Sequence, residues 1–250
     1  MKYKLCDWVP FEKLDWNGLS RNLNAIELLE SNQYRIDWYF LTENPNAMRL
    51  IMRNPEKISW CSLSSNPNAK AIALLKDNIE IINWNYLSAN SNDKAIELLE
   101  QNPGKINWNL LSMNPKAIKL LEKNPEKICW NYLSANPNAI HLLEHNPEKI
   151  DWYWLSQNPN AMSLLEKNPK KIWWPRVSLN PNSKAIKLLL ANPKKIDWMY
   201  LSSNPSIFKR VGLWKILRCV VKFLSLHQRA VVTANHPVRL QKQGYFELEI

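Results

Sequence analysis

His141, Glu144 and His145 spell His-x-x-Glu-His, the one run in this chain whose residue types and spacing suggest metal chemistry. On a helix, two imidazoles four residues apart share a face and can hold one zinc ion, with the carboxylate between them placed as a general base. The surrounding sequence gives a simpler origin. Glu144 stands where Glu30, Glu100, Glu122 and Glu166 stand in other copies of the same segment, and the two histidines take the places of Lys119 and Lys123 one copy earlier. The run is therefore read as repeat sequence. No catalytic, metal-binding or cofactor-binding residue is expected, nor any small-molecule substrate.

The repeat that absorbs these residues runs through most of the chain. Trp16, Trp38, Trp60, Trp84, Trp108, Trp130, Trp152, Trp174 and Trp198 recur at intervals of 22 or 24 residues, each within a variant of Lys-Ile-Asp-Trp-x-x-Leu-Ser-x-Asn-Pro-Asn-Ala-Ile-x-Leu-Leu-Glu-x-Asn-Pro. A unit this short cannot bury its own apolar face and must stack on its neighbours. Two short helices per unit are expected. In the first, Ala139, Leu142 and Leu143 form an amphipathic stripe, with Asn136 as N-cap, Pro137 at the first helical position, and Asn146-Pro147 closing the helix. A second helix starts at each tryptophan. Asp15, Asp37, Ser59, Asn83, Asn107, Asp151 and Asp197 stand just before it as N-cap types, and Cys129 and Trp173 are the exceptions.

These features predict an all-α fold, a short-helix α-solenoid of 22- to 24-residue helix-turn-helix units. A leucine-rich-repeat or β-solenoid would also suit the period and a recurring asparagine. It is disfavoured by the lack of Leu-x-Leu alternation, by only four glycines, and by the helix-forming Ala-Ile-x-Leu-Leu-Glu. Three units carry two extra residues near Lys70, Lys94 and Lys184, expected to extend a turn on one solvent edge. The domain reading is an N-terminal capping segment over 1–14, a solenoid of about eight units over 15–205, and a basic C-terminal cap or tail over 206–250. Eight units advancing by about 8 to 10 Å each would make a rod or arc on the order of 70 Å. Trp130 is expected in the core, where replacement by alanine costs about 3 to 5 kcal/mol.

The run from Lys127 to Trp152, Lys-Ile-Cys-Trp-Asn-Tyr-Leu-Ser-Ala-Asn-Pro-Asn-Ala-Ile-His-Leu-Leu-Glu-His-Asn-Pro-Glu-Lys-Ile-Asp-Trp, resembles the tandem repeats of a family of uncharacterised proteins encoded by large nucleocytoplasmic DNA viruses of protists and algae. The resemblance covers roughly residues 15 to 205. It implies a viral, intracellular protein and brings no catalytic residues with it. The chain departs from that pattern after Asn204-Pro205-Ser206-Ile207-Phe208.

Partner-binding candidates come from two sets. Tyr39, Tyr86, Tyr132, Tyr153, Trp154 and Tyr200 follow the repeat tryptophan by one or two residues and could anchor a protein partner. Net charge is +11, and residues 206–250 carry eight Lys or Arg against two Glu. There Lys215, Arg218, Lys222 and Arg229 share one side of a helical wheel opposite Leu213, Leu217, Val220, Val221 and Leu224. Such a basic amphipathic helix suits a terminal cap, an anionic membrane surface or nucleic acid. A base-reading RNA repeat finds no support, since Cys61-Ser62, Asn109-Leu110 and Pro175-Arg176 show no code at the variable positions. The cysteines Cys6, Cys61, Cys129 and Cys219 lack metal-like spacing and read as reduced thiols. With no signal-like leader and no span-length apolar run, an intracellular, cytoplasmic setting is expected, either host cytoplasm or virion. The functional expectation is a noncatalytic scaffold for protein–protein interaction. The alternatives are a structural spacer in a particle, or membrane or nucleic-acid association through the basic tail.

Overall fold

The structure, a computed structural model, describes residues 2–212. Residues 5–209 form one compact unit, and 1–4 with 210–250 form a second, of which only 2–4 and 210–212 are described. The expected basic helix with Lys215, Arg218, Lys222 and Arg229 lies outside the described residues.

Nine short helices each begin at a repeat tryptophan: Trp16–Arg21, Trp38–Glu43, Trp60–Leu63, Trp84–Ser88, Trp108–Ser112, Trp130–Ser134, Trp152–Leu155, Trp174–Val177 and Trp198–Ser202. Units 1 to 9 are numbered by these helices. The pre-tryptophan residue caps seven of them as the sequence predicts. Asp15, Asp37, Ser59, Asn83, Asn107, Asp151 and Asp197 each accept from the backbone N–H three residues on, whereas Cys129 and Trp173 give no side-chain cap. Units 1 to 8 continue into a second helix. A 3-10 turn then leads to the next tryptophan, as in Pro147–Lys149. Asn146 ends the second helix of unit 6 by donating its amide to Leu142 O at 2.9 Å, and seven other units repeat this bond. In place of a second helix, unit 9 has a 3-10 turn, Pro205–Ile207, and then the strand Phe208–Arg210, which pairs in a two-stranded sheet with Tyr3–Leu5.

Two details differ from the sequence reading. Asn136 does not cap the second helix of its unit, which starts at Ile140 without a side-chain cap. Its amide is committed to the neighbouring unit, described below. The two extra residues of units 3, 4 and 8 lengthen the helix instead of a turn. Ala69–Lys76, Asp93–Gln101 and Ser183–Ala191 run eight or nine residues, and Asn68, Asn92 and Asn182 become true N-caps that accept from Lys70, Lys94 and Lys184 N–H. The added residues give the chain room to enter helix directly from the asparagine.

Units are joined by a polar spine. Asn44 donates both amide hydrogens, to Ser20 O at 3.1 Å and to Asn22 O at 3.0 Å, and its Oδ1 accepts from Asn46 N–H. The same three bonds recur at Asn66, Asn90, Asn114, Asn136, Asn158, Asn180 and Asn204. The carbonyls they meet lie at the C-terminal ends of the tryptophan helices, where no intrahelical partner exists. A second link runs through the conserved position of the repeat two residues earlier: the hydroxyl of Ser20 accepts from Asp37 N–H, and its counterparts in the other units do the same.

This spine has no end. Asn22 of unit 1 donates to Ser202 O and Asn204 O of unit 9, both at 2.8 Å, and Asp15 N–H reaches Ser202 Oγ at 2.8 Å. Helix Trp16–Arg21 packs on Trp198–Ser202 as it does on Trp38–Glu43. The open rod or arc expected from the repeat does not form; the nine units close into a ring. Residues 11–13, assigned by sequence to an N-terminal cap, make the 3-10 turn of unit 1, and Lys13 lies 5.1 Å over the Trp198 ring. The core follows the spine: Leu19 and its equivalents through Leu201, with Val177 in unit 8, are fully buried, as are Leu29, Leu75, Leu99, Leu121, Leu143, Leu165 and Leu189.

Closure brings the backbones close at Gly18, where a Cβ would lie 2.8 Å from Ser202 Cβ and 2.9 Å from Met199 O. Gly18→Ala is expected to destabilise the protein by about 1 to 3 kcal/mol through overpacking. Gly104→Ala, with nothing within 4 Å of the added methyl, serves as the neutral control. Asn136→Ala strands the buried Ser112 carbonyl and takes one of two donors from Asn114 O, which keeps Ala117 N–H, and should cost about 1 to 3 kcal/mol, against under about 1 kcal/mol for the exposed Asn138. Urea unfolding of the four variants checks both expectations; equal midpoints for Asn136→Ala and Asn138→Ala would remove the spine from the account.

Candidate interaction face

The tryptophans that mark the repeat are not its core. Eight are half-buried and Trp60 is 36% exposed. Each indole is the first residue of its helix and lies toward the surface, and in six units the last residue of the next unit's 3-10 turn covers it. Arg35 lies over Trp16, Lys57 over Trp38, Lys149 over Trp130, Lys171 over Trp152 and Lys195 over Trp174, with the cation 4.0 to 4.9 Å from the ring centre. Lys13 repeats this across the closure. The pairs are cation–π contacts whose lysine stems shield the indole while the charge stays in water. The expectation that Trp130 belongs to the core is therefore corrected: the buried residues of that helix are Leu133, its apolar core residue, and Ser134.

The two residues after each tryptophan share one face of the tryptophan helices, and here the units differ. Tyr39 of unit 2 and Tyr86 of unit 4 join their hydroxyls across 47 residues of sequence, spanning the intervening unit 3. Side chains two units apart in a closed ring meet most readily on its inner side, where neighbours converge. Around units 6 to 9 the face becomes an aromatic cluster. Tyr132 packs on Trp154 at 5.0 Å between ring centres, and Tyr153 meets Trp154 and Trp173 edge-on at 5.4 and 5.5 Å. Arg176 enters it from unit 8, its guanidinium carbon 4.2 Å from the Tyr153 ring centre, 4.4 Å from Trp154 and 5.3 Å from Tyr200. It donates to Gln157 Oε1 at 2.9 Å and to the Tyr153 hydroxyl, while its Nε is buried without a partner among the described residues. All six aromatic residues proposed from sequence thus lie on this face, five of them half-buried and Tyr39 exposed. Arg176 was missed because a single arginine among variable positions has no sequence signature. Arg21 was missed for the same reason; it stacks 3.8 Å over Phe40 and bonds Glu43 at 3.0 Å.

Titration behaviour follows this packing. The hydrogen bond shared with Tyr39, with burial adding to it, pushes the Tyr86 hydroxyl up to about 12. Burial raises the Glu43 carboxyl against the opposing pull of Arg21. Elsewhere the His141 ring faces Glu122 of the preceding unit at 3.4 Å, and His145 Nδ1 turns back to His141 O. The two imidazoles do not converge. Among the described residues no three His, Cys, Asp or Glu side chains are placed to share a metal ion, and Cys6, Cys61 and Cys129 are free thiols. No helix of the described residues is long and apolar enough to cross a membrane.

Fold and face together define a class: a closed ring of short α-helical repeats with a constant polar spine and a variable aromatic face. No protein-family model, curated protein or solved structure matches the chain.

Folding raises the Tyr86 pKa above the ordinary tyrosine value of about 10, so its contribution to stability is fully present below about pH 10 and is lost as pH rises through the folded value. Absorbance titration should resolve a tyrosine that ionises later than the others, and Tyr39→Phe should return it toward the ordinary range; an unchanged titration would break the pairing. Trp130→Ala should cost about 1 to 2 kcal/mol, less than the about 2 to 5 kcal/mol of Leu133→Ala, by thermal or urea unfolding.

Proposed function

We propose that the ring is a noncatalytic scaffold that holds a protein partner on the face formed by the two residues after each tryptophan. The observation that carries this reading is the contrast within the repeat. The spine and core positions keep the same side-chain types through all nine units, yet the adjacent pair runs from Asn17-Gly18 to Tyr39-Phe40, Cys61-Ser62, Tyr153-Trp154, Pro175-Arg176 and Met199-Tyr200. A rigid frame that varies at one face is how repeat proteins present recognition surfaces. Tyr, Trp and Arg are also the side chains most enriched where binding energy concentrates. A passive spacer in a particle gives no reason for an arginine held among three rings. The resemblance of the repeats to viral tandem-repeat proteins, with the free thiols, supports action inside a host cell.

The test compares the tagged full chain with a Tyr132→Ala/Trp154→Ala variant in host-cell extract, quantified by mass spectrometry, after circular dichroism shows that both fold. A discrete protein retained by the native chain and lost by the variant is expected. Identical retained sets for the two would place binding elsewhere.

A further inference from the structure

We propose that the turn edge of units 8 and 9 binds single-stranded nucleic acid, with phosphates at Lys170 and Lys194 and a base stacked on Trp173. The argument comes from comparing nine copies of one turn. Its last residue is Lys or Arg in eight units and Ile81 in the other, and six of these cations cover a tryptophan. In units 8 and 9 that task falls to Lys171 and Lys195. The residue before it is glutamate in five units, at Glu12, Glu56, Glu80, Glu126 and Glu148, and lysine only in the adjacent units 8 and 9. Lys170 and Lys194 are exposed and have no carboxylate partner among the described residues. Unit 8, from Asn168 to Ala191, holds five Lys or Arg and no Asp or Glu.

The second departure falls in the same unit. Seven units place a capping Asp, Ser or Asn before the tryptophan; unit 8 places Trp173, so helix Trp174–Val177 has no side-chain cap and the Trp173 indole is 51% exposed. The fold gives up a cap here and leaves half of an aromatic ring in water, with one edge of it against Tyr153. The two departures adjoin. Lys171 lies over Trp152, the sequence neighbour of Tyr153, which touches Trp173, while Lys195 lies 4.0 Å over Trp174. Two successive turns that each carry an exposed lysine, with an exposed ring in the chain between them, match a sugar-phosphate backbone with an unstacked base, the combination by which single strands are held without sequence preference. A lipid surface would ask for a broader apolar area than one ring among lysines.

Each test variant restores what the other units carry, so the fold is preserved or improved. Binding of a short labelled oligo(dT) or oligo(rU) to the full chain is followed by anisotropy over a salt series. Lys170→Glu/Lys194→Glu should weaken binding at least about tenfold at low salt and flatten the log K against log salt slope by about 1.4, the value for two single-strand phosphates. Trp173→Asp should weaken binding by about tenfold through lost stacking while raising the melting temperature, because it returns the cap. Unchanged affinity and slope in both variants would overturn the proposal, since the basic tail would then carry all the binding. A fall in melting temperature for Trp173→Asp would make the indole structural and overturn its role. Binding to phosphatidylserine vesicles without binding to either oligonucleotide would overturn the nucleic-acid assignment.

Discussion

One asparagine side chain per unit satisfies the carbonyls that these short helices cannot satisfy themselves. A helix of four to six residues is nearly all terminus, so most of its backbone acceptors have no internal donor. Buried without partners, they would cost more than such helices can return, since helices this short are marginal even in isolation. The carboxamide answers this with both its hydrogens on two carbonyls of the preceding unit and its oxygen on its own chain, all three at a position that is 0 or 1% exposed. Aspartate has no donor and serine only one, so neither could replace it. The spine also explains how an all-α coil can share the recurring asparagine of β-solenoids: both stack backbone segments whose polar groups need a partner in the next turn.

Because the spine closes on itself, none of the nine units presents an unsatisfied end to water. Open repeat arrays need polar capping units; here unit 1 is the neighbour of unit 9, and the closest approach falls at Gly18. Once core and junctions are fixed by Leu, Ser and Asn, the remaining positions are released from structural duty. Tryptophan sits between these two groups. It starts each helix and in six units accepts a cation from the following turn, which ties those neighbours at the surface without entering the core.

Variation then becomes informative without any second sequence for comparison. Nine copies of one unit give nine readings of what each position requires, so a residue that departs from them and loses a structural contact stands out. Unit 8 is the clearest case. Trp173 displaces a cap, Lys170 displaces a glutamate, and Arg176 takes a site where other units hold Trp, Tyr, Phe, Leu, Ser or Gly. Five Lys or Arg and no Asp or Glu concentrate this charge within one unit.

The sequence by itself determined the period, the helical class, and the start of every tryptophan helix, down to the two units that lack a cap. Capping is settled within three residues, so local chemistry suffices to read it. The aromatic set was legible too, as side chains at a fixed offset from a helix start must share a face. Tertiary structure alone decided that the array closes, that the tryptophans stay half-exposed, that Asn136 serves its neighbour instead of its own helix, and that Tyr39 reaches Tyr86. Closure depends on the small rotation between successive units summed nine times, and a repeat sequence is the same for an arc as for a ring. Burial of an indole likewise depends on which side of the helix the next unit occupies, a relation that arises only when the units pack.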